Sequence, residues 1–414
     1  MPDPILHIAL PVLDETATIS AVLNCLFLQT VQDFRLYVCV NQPDEWWNEP
    51  SKRRICLENA SLLNFLHSLK DERIVIIDRT SPGKGWLGKN HGIGWARKTL
   101  MDRISEVADK KDIIVSMDAD TSFDPGFLES ILSNVLVNPE VVGYSIPYYH
   151  RITGIEDLDR AMLRYEIYMR AYAINLWRIK SPYCFTALGS AIAVPVWAYR
   201  AIGGLTPKLS GEDFYFLQKL VKFGTILHWT TEQVYPAARL SERVYFGTGP
   251  ALIKGLAGNW ESYPIYNVEF FKPISEAYKL FPRLFEKDIP TPLDEFLACR
   301  SGGLPWAGIR KNSRSREQFI RACHEKIDGL RILQYLKEVD RKYPVPAELS
   351  TLELIAVIAE EQEIIPELEI LPDFTFSGSS VKCLNAIRNT LARAEMSFRK
   401  RHWTQVSGLN AIFN

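Results

Sequence analysis

Apolar positions in the first part of the chain alternate between strand spacing and helical spacing. Short apolar runs predict strands at residues 5–12, 34–40, 73–77, 113–117 and 141–146. The segments between them carry apolar side chains at helical intervals and predict helices at residues 18–29, 52–69, 89–107 and 125–137. Strands that alternate with helices form crossover units, so we expect a doubly wound, mostly parallel α/β sheet with ligand sites at the carboxyl ends of its strands.

The regular alternation of predicted strands and helices changes beyond residue 151. A long helix is expected at 156–179, then a strand at 192–196, a helix at 212–223 and a strand at 225–229. After about residue 260 the pattern is helical, most clearly at residues 316–342, 351–361 and 381–401. We therefore predict an α/β domain over residues 1–258, with halves at about 1–122 and 123–258, and a helical C-terminal region over 259–414.

Composition narrows the classes of protein. The 414 residues contain 48 Lys and Arg against 49 Asp and Glu, which argues against a general nucleic-acid binder. Seven cysteines lie far apart without a CxxC pair, which argues against a disulfide scaffold or zinc ribbon and suits a reducing cytoplasm. The first residues do not resemble a signal peptide, and the most apolar window, 185–205, contains Pro195 and Arg200. We expect no transmembrane segment and a cytoplasmic location.

A glycine-rich loop precedes the helix predicted at residues 89–107. Gly83, Gly85 and Gly88 allow a close approach of backbone N–H groups to a phosphate, and Lys89 adds positive charge. The segment formally matches a dinucleotide fingerprint and nearly matches a P-loop, but Asn90 stands where a P-loop has Ser or Thr. A phosphate-contacting loop is the first interpretation, and a plain turn is the alternative.

Two acidic pairs carry the candidate chemistry. Asp118 and Asp120 follow an apolar strand, and carboxylates there suit a hard divalent cation that bridges to phosphates. Glu212 and Asp213 open a helix, where a carboxylate could take a proton from an acceptor hydroxyl. Turn formation by the aspartates, and a simple helix-dipole role for the second pair, are the alternatives.

Two arginines, Arg239 and Arg243, are four residues apart and could clamp a diphosphate leaving group. The alternative is a surface pair bonded to Glu232 or Glu242.

The order of these motifs resembles the family 2 glycosyltransferases with the nucleotide-sugar-binding GT-A fold, over roughly residues 5–255. The matching segments are Ala9-Leu10-Pro11-Val12-Leu13-Asp14-Glu15, Gly88-Lys89-Asn90 with Gly92 and Ala96, Asp118-Ala119-Asp120, Gly203-Gly204 and Gly211-Glu212-Asp213. Asp14 replaces the family's Asn, and the residues from about 260 onwards match no motif of the family.

The resemblance implies a role for each matching residue. On the donor side, Pro11 and Glu15 would line the base and ribose pocket, Asn41 or Asp44 would face the nucleobase, and Lys89 would approach the nucleotide. Asp118 would contact ribose or metal, and Asp120 would coordinate Mn²⁺ or Mg²⁺ on the diphosphate. Asp213 would be the catalytic base with Glu212 beside it, Arg239 and Arg243 would steady the diphosphate, and His228 is a weaker candidate for the metal.

The expected activity is hexosyl transfer from a nucleotide-diphosphate sugar to an acceptor hydroxyl. The Gln-x-x-Arg-Trp motif of processive synthases is absent from the sequence, so we expect one transfer per encounter. One base without an evident nucleophile favours inversion. The acceptor is left open between a saccharide and a lipid-linked group, and the basic last helix leaves peripheral contact with the inner face of a membrane open. Two alternatives stand: a P-loop-like nucleotide hydrolase or nucleotidyltransferase, and a non-catalytic nucleotide-sugar-binding protein.

Overall fold

A computed structural model describes residues 3–241, 247–363 and 373–408 of the chain. Their contacts divide the chain into two compact units. The first unit contains the described residues up to Met162, Phe185–Gly258 and those from Arg399 onwards, and the second contains Leu163–Cys184 and the described part of Asn259–Phe398. The predicted diphosphate contact Arg243 lies outside the described residues.

Nine strands are assigned in the first unit. They are β1 (Leu6–Val12), β2 (Phe34–Asn41), β3 (Ile74–Arg79), β4 (Ile113–Ser116), β5 (Thr121–Phe123), β6 (Gly143–Ser145), β7 (Ile192–Pro195), β8 (Ile226–Leu227) and β9 (Val234–Pro236). Seven of them form one sheet in the order β3–β2–β1–β4–β7–β6–β8, while β5 and β9 pair separately. Within the large sheet only β7 runs antiparallel to its neighbours, β4 and β6. The mixed α/β class and the mostly parallel sheet are therefore confirmed.

Helices connect these strands. They are α1 (Ile19–Phe27), α2 (Arg53–Ser68), α3 (Ile93–Val107), α4 (Phe127–Val137), α5 (Glu156–Arg178), α6 (Val196–Ala201), α7 (Glu212–Phe223) and α8 (Thr248–Leu256). The helix predicted at 89–107 begins only at Ile93, because Gly92 has a φ of 97° that interrupts the helical backbone. The spacing of α8 was not recognised in the sequence, where Gly249 and Pro250 obscure it.

The order of the strands creates a crevice. The chain runs outward through β1, β2 and β3 and then returns through α3 to β4 on the other side of β1. Because parallel crossovers are right-handed, α1 and α2 lie on one face of the sheet and α3 on the other. Every residue of β1 and β4 is buried, as expected for strands covered on both faces. The carboxyl ends of β1 and β4 thus form a topological switch point, where α/β sheets bind ligands.

The second unit is helical, which confirms the helical C-terminal region. Its helices are α9 (Lys272–Leu284), α10 (Asp294–Ser301), α11 (Trp306–Asn312), α12 (Arg316–Lys326), α13 (Gly329–Lys342) and α14 (Ala347–Gln362), together with parts of α5 and of α15 (Val381–Ser407). The single helix expected at 316–342 is wrong: Asp328 separates α12 from α13 by accepting the N–H of Arg331 (3.1 Å) as an N-cap.

The basic residues of α15 do not form one solvated face. Arg388 is buried and donates to Glu166 (3.0 Å) within the second unit. Arg399 is buried in the first unit, where it donates to the carbonyl groups of Ser145 (3.0 Å) and His228 (2.8 Å). The other Lys and Arg residues of the helix are exposed: Lys382, Arg393, Lys400 and Arg401. Among the described residues, no helix combines the length and the apolar character that crossing a bilayer requires.

Candidate active site

Two aspartates follow β4 at the edge of the crevice. The N–H of Met117 still donates to the carbonyl of Ala9 (3.1 Å), so the chain leaves the sheet beside β1. In the turn that follows, the N–H of Thr121 donates a hydrogen bond to the carbonyl of Asp118 (3.2 Å). The side chains of Asp118 and Asp120 are 33% and 22% exposed. Both carboxylates are thus accessible at the carboxyl edge of the sheet.

Arg97 is the buried cation that joins this turn to α7. Its guanidinium donates to Asp118 Oδ1 (2.8 Å), to Glu212 Oε1 (3.2 Å), to the carbonyl of Gly189 (2.9 Å) and to Ser116 Oγ. Burial lowers the pKa of Arg97, but the two carboxylates raise it by more, so the guanidinium stays protonated. A Cβ on Gly189 would overlap Arg97 Nη2, so a larger residue at position 189 would displace the guanidinium from this position.

The second acidic pair opens α7, after Gly211 in the left-handed conformation (φ 74°). Glu212 is buried against Arg97, whereas Asp213 is half-buried and accepts the N–H of Phe214 (2.8 Å). Burial raises the pKa of both carboxyls, that of Glu212 to about 7, and the charge of Arg97 opposes the rise. Carboxyl groups with raised pKa values near a charged crevice are candidates for general acid–base chemistry.

Arg239 provides the second cation of the site. Its Nε donates to Asp120 Oδ2 (2.8 Å), and its Nη2 lies between Asp120 Oδ2 (2.7 Å) and Glu15 Oε1. Glu15, just after β1, also accepts the hydroxyl of Thr18 (2.6 Å). Burial raises the pKa of Asp120, and Arg239 acts against that rise. One guanidinium therefore links the carboxylates that follow β1 and β4.

The proposed nucleobase residues are used in internal hydrogen bonds. Asn41 at the end of β2 donates to the carbonyl of Val12 (2.8 Å) and accepts Trp86 Nε1 (3.0 Å). Pro11 is buried in β1 beside Cys39 of β2. Both residues lie near the carboxyl ends of their strands.

The glycine-rich loop is folded onto Asp44. The N–H groups of Gly83 and Gly85 both donate to Asp44 Oδ1 (2.8 and 3.2 Å). Lys89 is exposed and forms no hydrogen bond or ion pair with any described residue, and α3 starts four positions later. The N–H groups of Gly83 and Gly85 therefore donate to a carboxylate of the protein, which leaves them unable to bind a phosphate as in a P-loop.

The structure brings part of the predicted site together. Arg97 joins Asp118 to Glu212, with Asp213 next in sequence, and Arg239 joins Asp120 to Glu15. The backbone from Asp118 to Asp120 connects the two groups into one network. Lys89 and Asp44 do not contact this network. His228 is buried, with its ring 5.4 Å from that of His402, and burial lowers its pKa well below the ordinary value.

Asp118 and Asp120 are the residues whose chemistry suits a divalent cation. Among the described residues, no three His, Cys, Asp or Glu side chains form a group that could hold a metal by themselves. Mg²⁺ and similar ions commonly take one or two carboxylates and complete their shell with water and substrate phosphates. The donor set therefore fits a cation held jointly with a diphosphate, and on Asp120 such a cation would replace Arg239.

Arg97 was missed in the sequence, although a signal for it exists. In α3 the buried positions include 97, 100, 101 and 104, which form one stripe at helical spacing. Position 97 of this stripe is an arginine, while Leu100, Met101 and Ile104 are apolar. A cation on the buried stripe of a helix is costly unless it is paired, so it indicates buried carboxylate partners.

No protein-family model matches the sequence, and no curated protein matches it. Among solved structures, the chain is similar to TarS 1–349 of S. aureus in complex with UDP-GlcNAc, with a TM-score of 0.40, 11% identity, and coverage of 96% of this chain and 91% of that one. It is also similar to GalNAc-T7 with UDP, GalNAc and Mn²⁺ (TM-score 0.39, 11% identity, 83% and 58% coverage).

A third similar structure is the mannosyltransferase PcManGT from Pyrobaculum calidifontis in complex with GDP-Man and Mn²⁺ (TM-score 0.33, 12% identity, 100% and 88% coverage). Similarities at these scores carry no weight for function.

Proposed function

We propose that the first unit is a GT-A glycosyltransferase of the family 2 type, which moves a hexose from a nucleotide-diphosphate sugar to an acceptor hydroxyl. One observation carries the proposal: at the switch point, Arg239 joins the carboxylates that follow β1 and β4, and Arg97 joins Asp118 after β4 to Glu212 at the start of α7. The reaction needs this combination, because cations must neutralise a departing diphosphate while a carboxylate removes a proton nearby.

Asp213 is the proposed base. Glu212 is 4% exposed and bonded to Arg97, so its carboxylate is held in place. Asp213 is the more exposed member of the pair, and its raised pKa makes it a stronger base than an ordinary aspartate. Asp213 takes the proton of the acceptor hydroxyl, whose oxygen forms the new bond to the anomeric carbon. The bond to the diphosphate breaks, its electron pair leaves with the diphosphate, and this single displacement inverts the configuration.

Arg239 is proposed to neutralise the departing diphosphate, since its guanidinium already lies 29% exposed at the edge of the crevice. Asp118 and Asp120 would hold Mn²⁺ or Mg²⁺, which supplies positive charge to the same diphosphate. Glu15 and Pro11 are proposed to line the ribose side. The nucleobase is proposed to lie near Asn41 and the loop that Asp44 holds, with Lys89 and Arg243 approaching the phosphates.

A thermal-shift panel of nucleotide sugars, with and without Mn²⁺, tests the donor. We expect one class of donor to raise the melting temperature only with metal. Asp120→Asn should abolish this shift, and Asp157→Asn, an exposed acid in the first turn of α5, should preserve it. The absence of any donor-dependent shift would contradict the proposal. Hydrolysis of ATP or GTP that is lost in Lys89→Ala, without sugar-nucleotide binding, would instead support the P-loop alternative.

Asp213→Asn tests the base. We expect donor binding close to that of the wild type and a loss of kcat of about 10²–10⁴-fold, the usual contribution of a general base. Retained activity would remove Asp213 from the mechanism. Donor binding by a wild-type protein that transfers to no acceptor would favour the non-catalytic alternative. NMR of the first product tests inversion, because a product with the donor's anomeric configuration excludes a single displacement.

A further inference from the structure

The second unit contains a buried arginine with few hydrogen-bond partners. Arg164 in α5 is 4% exposed, and its Nη1 has no hydrogen-bond partner in the described part of the chain. Its one hydrogen bond is long and to a neutral group, from Nη2 to the carbonyl of Tyr263 (3.4 Å). A guanidinium has five N–H donors, and the two on Nη1 of Arg164 have no partner among the described residues. Leaving donors of a buried cation unsatisfied is strongly unfavourable.

Other buried arginines of the described chain differ from Arg164 in this respect. Arg97 bonds two carboxylates, and Arg170 bonds Glu166 (2.8 Å) and Glu395 (2.6 Å). The side chain of Arg164 forms no ion pair within 4 Å among the described residues. Burial lowers the pKa of Arg164 to about 10, against the opposing influence of Glu348 and Tyr168. The guanidinium therefore remains charged at neutral pH, and no described carboxylate is in contact with it.

Aromatic rings surround this cation. The guanidinium lies 4.4 Å from the ring centroid of Phe376 and 5.0 Å from that of Trp260. Trp260 is only half-buried. It lies in a turn in which the N–H of Tyr263 donates a hydrogen bond to the carbonyl of Trp260 (2.8 Å). Cation–π contacts stabilise a guanidinium from its faces and leave the N–H groups at its edge unsatisfied. One of the two rings that contact the guanidinium, that of Trp260, is thus partly exposed.

We propose that Arg164, flanked by Trp260 and Phe376, binds a small oxyanion, a phosphate or carboxylate group of a ligand. A planar guanidinium donates two parallel N–H bonds to such a group, which would satisfy donors that the protein leaves open. The adjacent rings suit an organic portion attached to the anion. The site lies within the second unit and does not depend on the proposed transferase reaction.

The test measures melting temperature and calorimetric binding with inorganic phosphate, glucose 1-phosphate and acetate, with ionic strength held constant by NaCl. At a concentration of about 100 times Kd, a single site should raise the melting temperature of the second unit by about 5–10 °C. Tighter binding of the sugar phosphate than of phosphate would show that the rings bind its organic part, and equal binding would identify a site for the free anion.

Three variants separate this site from others. Arg164→Met should abolish the shift, and Arg164→Lys should weaken binding at least tenfold because it loses the planar fork. Arg160→Met, one turn earlier in α5 and half-buried beside Glu156, should bind like the wild type.

Stability without the anion distinguishes binding from a structural role. Replacing an unpaired buried charge with an apolar side chain of similar size should leave the melting temperature unchanged or raise it. A strongly destabilised or unfolded Arg164→Met in anion-free buffer would overturn the proposal and make Arg164 a structural cation. No saturable binding to the wild type, or equal binding to Arg164→Met, would also overturn it.

Discussion

Replacing Arg97 with methionine should destabilise the protein because it leaves buried carboxylates without a counter-ion. Arg97 and Glu212 have side chains that are 2% and 5% exposed, so their contact lies in the low-dielectric interior. Removing one partner of a buried ion pair lowers the free energy of unfolding by about 3–5 kcal/mol. Losing the ion pair with Asp118, whose side chain is 33% exposed, adds less to this cost because water screens the charge of Asp118. We therefore expect Arg97→Met to lower the free energy of unfolding by about 3–5 kcal/mol at pH 8.

The loss of stability caused by Arg97→Met should be larger at pH 8 than at pH 5. In the folded protein the pKa of Glu212 is raised to about 7, whereas an unfolded glutamate has a pKa of about 4.3. A carboxyl with a raised folded pKa lowers stability as the pH rises from the unfolded value through the folded one. Removing Arg97 raises the folded pKa further, so ionisation becomes still more costly. At pH 5 the carboxyl is protonated, and we expect a penalty of only about 1–3 kcal/mol from lost hydrogen bonds.

Urea unfolding of three variants at pH 5 and pH 8 measures this effect. Arg103→Met is the matched control, because Arg103 lies in the same helix and pairs with Glu106 at 52% and 65% exposure. It should change stability by no more than about 0.5 kcal/mol. Glu212→Gln in the Arg97→Met background should recover more than about 1 kcal/mol at pH 8, because it removes the uncompensated charge. Equal penalties for Arg97→Met and Arg103→Met, or a penalty independent of pH, would refute the reasoning.

Two further predictions concern the loop and the cation site. Gly85→Ala should cost about 1–3 kcal/mol, because its Cβ would lie 2.6 Å from the backbone N and Cα of Asp44. Gly303→Ala, with no atom within 4 Å, should change stability by at most about 0.5 kcal/mol, and equal melting temperatures for the two variants would contradict the packing argument. Without nucleotide, Arg239→Met should bind Mn²⁺ more tightly than the wild type in calorimetry, because the guanidinium no longer competes for Asp120. Weaker or unchanged Mn²⁺ binding would show that Arg239 and the cation do not compete.

Local patterns predicted much of the fold. The helix expected at 212–223 has those bounds in the structure, because its apolar stripe and the preceding Gly211 are both local signals. The strand expected at 113–117 ends within one residue of β4, and the alternation of strands and helices predicted the α/β class. The prediction of helix boundaries failed where a single side chain caps a helix: Asp328 caps α13 and separates it from α12.

The candidate site was predicted in part for the same reason. Asp118 and Asp120 were recognisable because they follow an apolar strand, and Glu212 and Asp213 because they open an amphipathic helix. Their partners were not recognisable: Arg97 resembles any arginine of a helix until its position on a buried stripe is considered. Asp44 was expected to face a nucleobase, whereas it accepts the N–H groups of the glycine-rich loop.

The sequence by itself determined which segments become strands and helices, and therefore that acidic residues follow β4 and begin α7, since both depend on neighbours a few positions away. Only the tertiary structure decided which charges meet. Arg97 lies 115 positions from Glu212, and Arg239 lies 224 positions from Glu15. The strand order, the crossovers and the register of β1 against β4 bring these residues together. Because a buried charge requires a partner wherever in the chain that partner lies, the connectivity of the site follows from the sheet topology and not from spacing along the sequence.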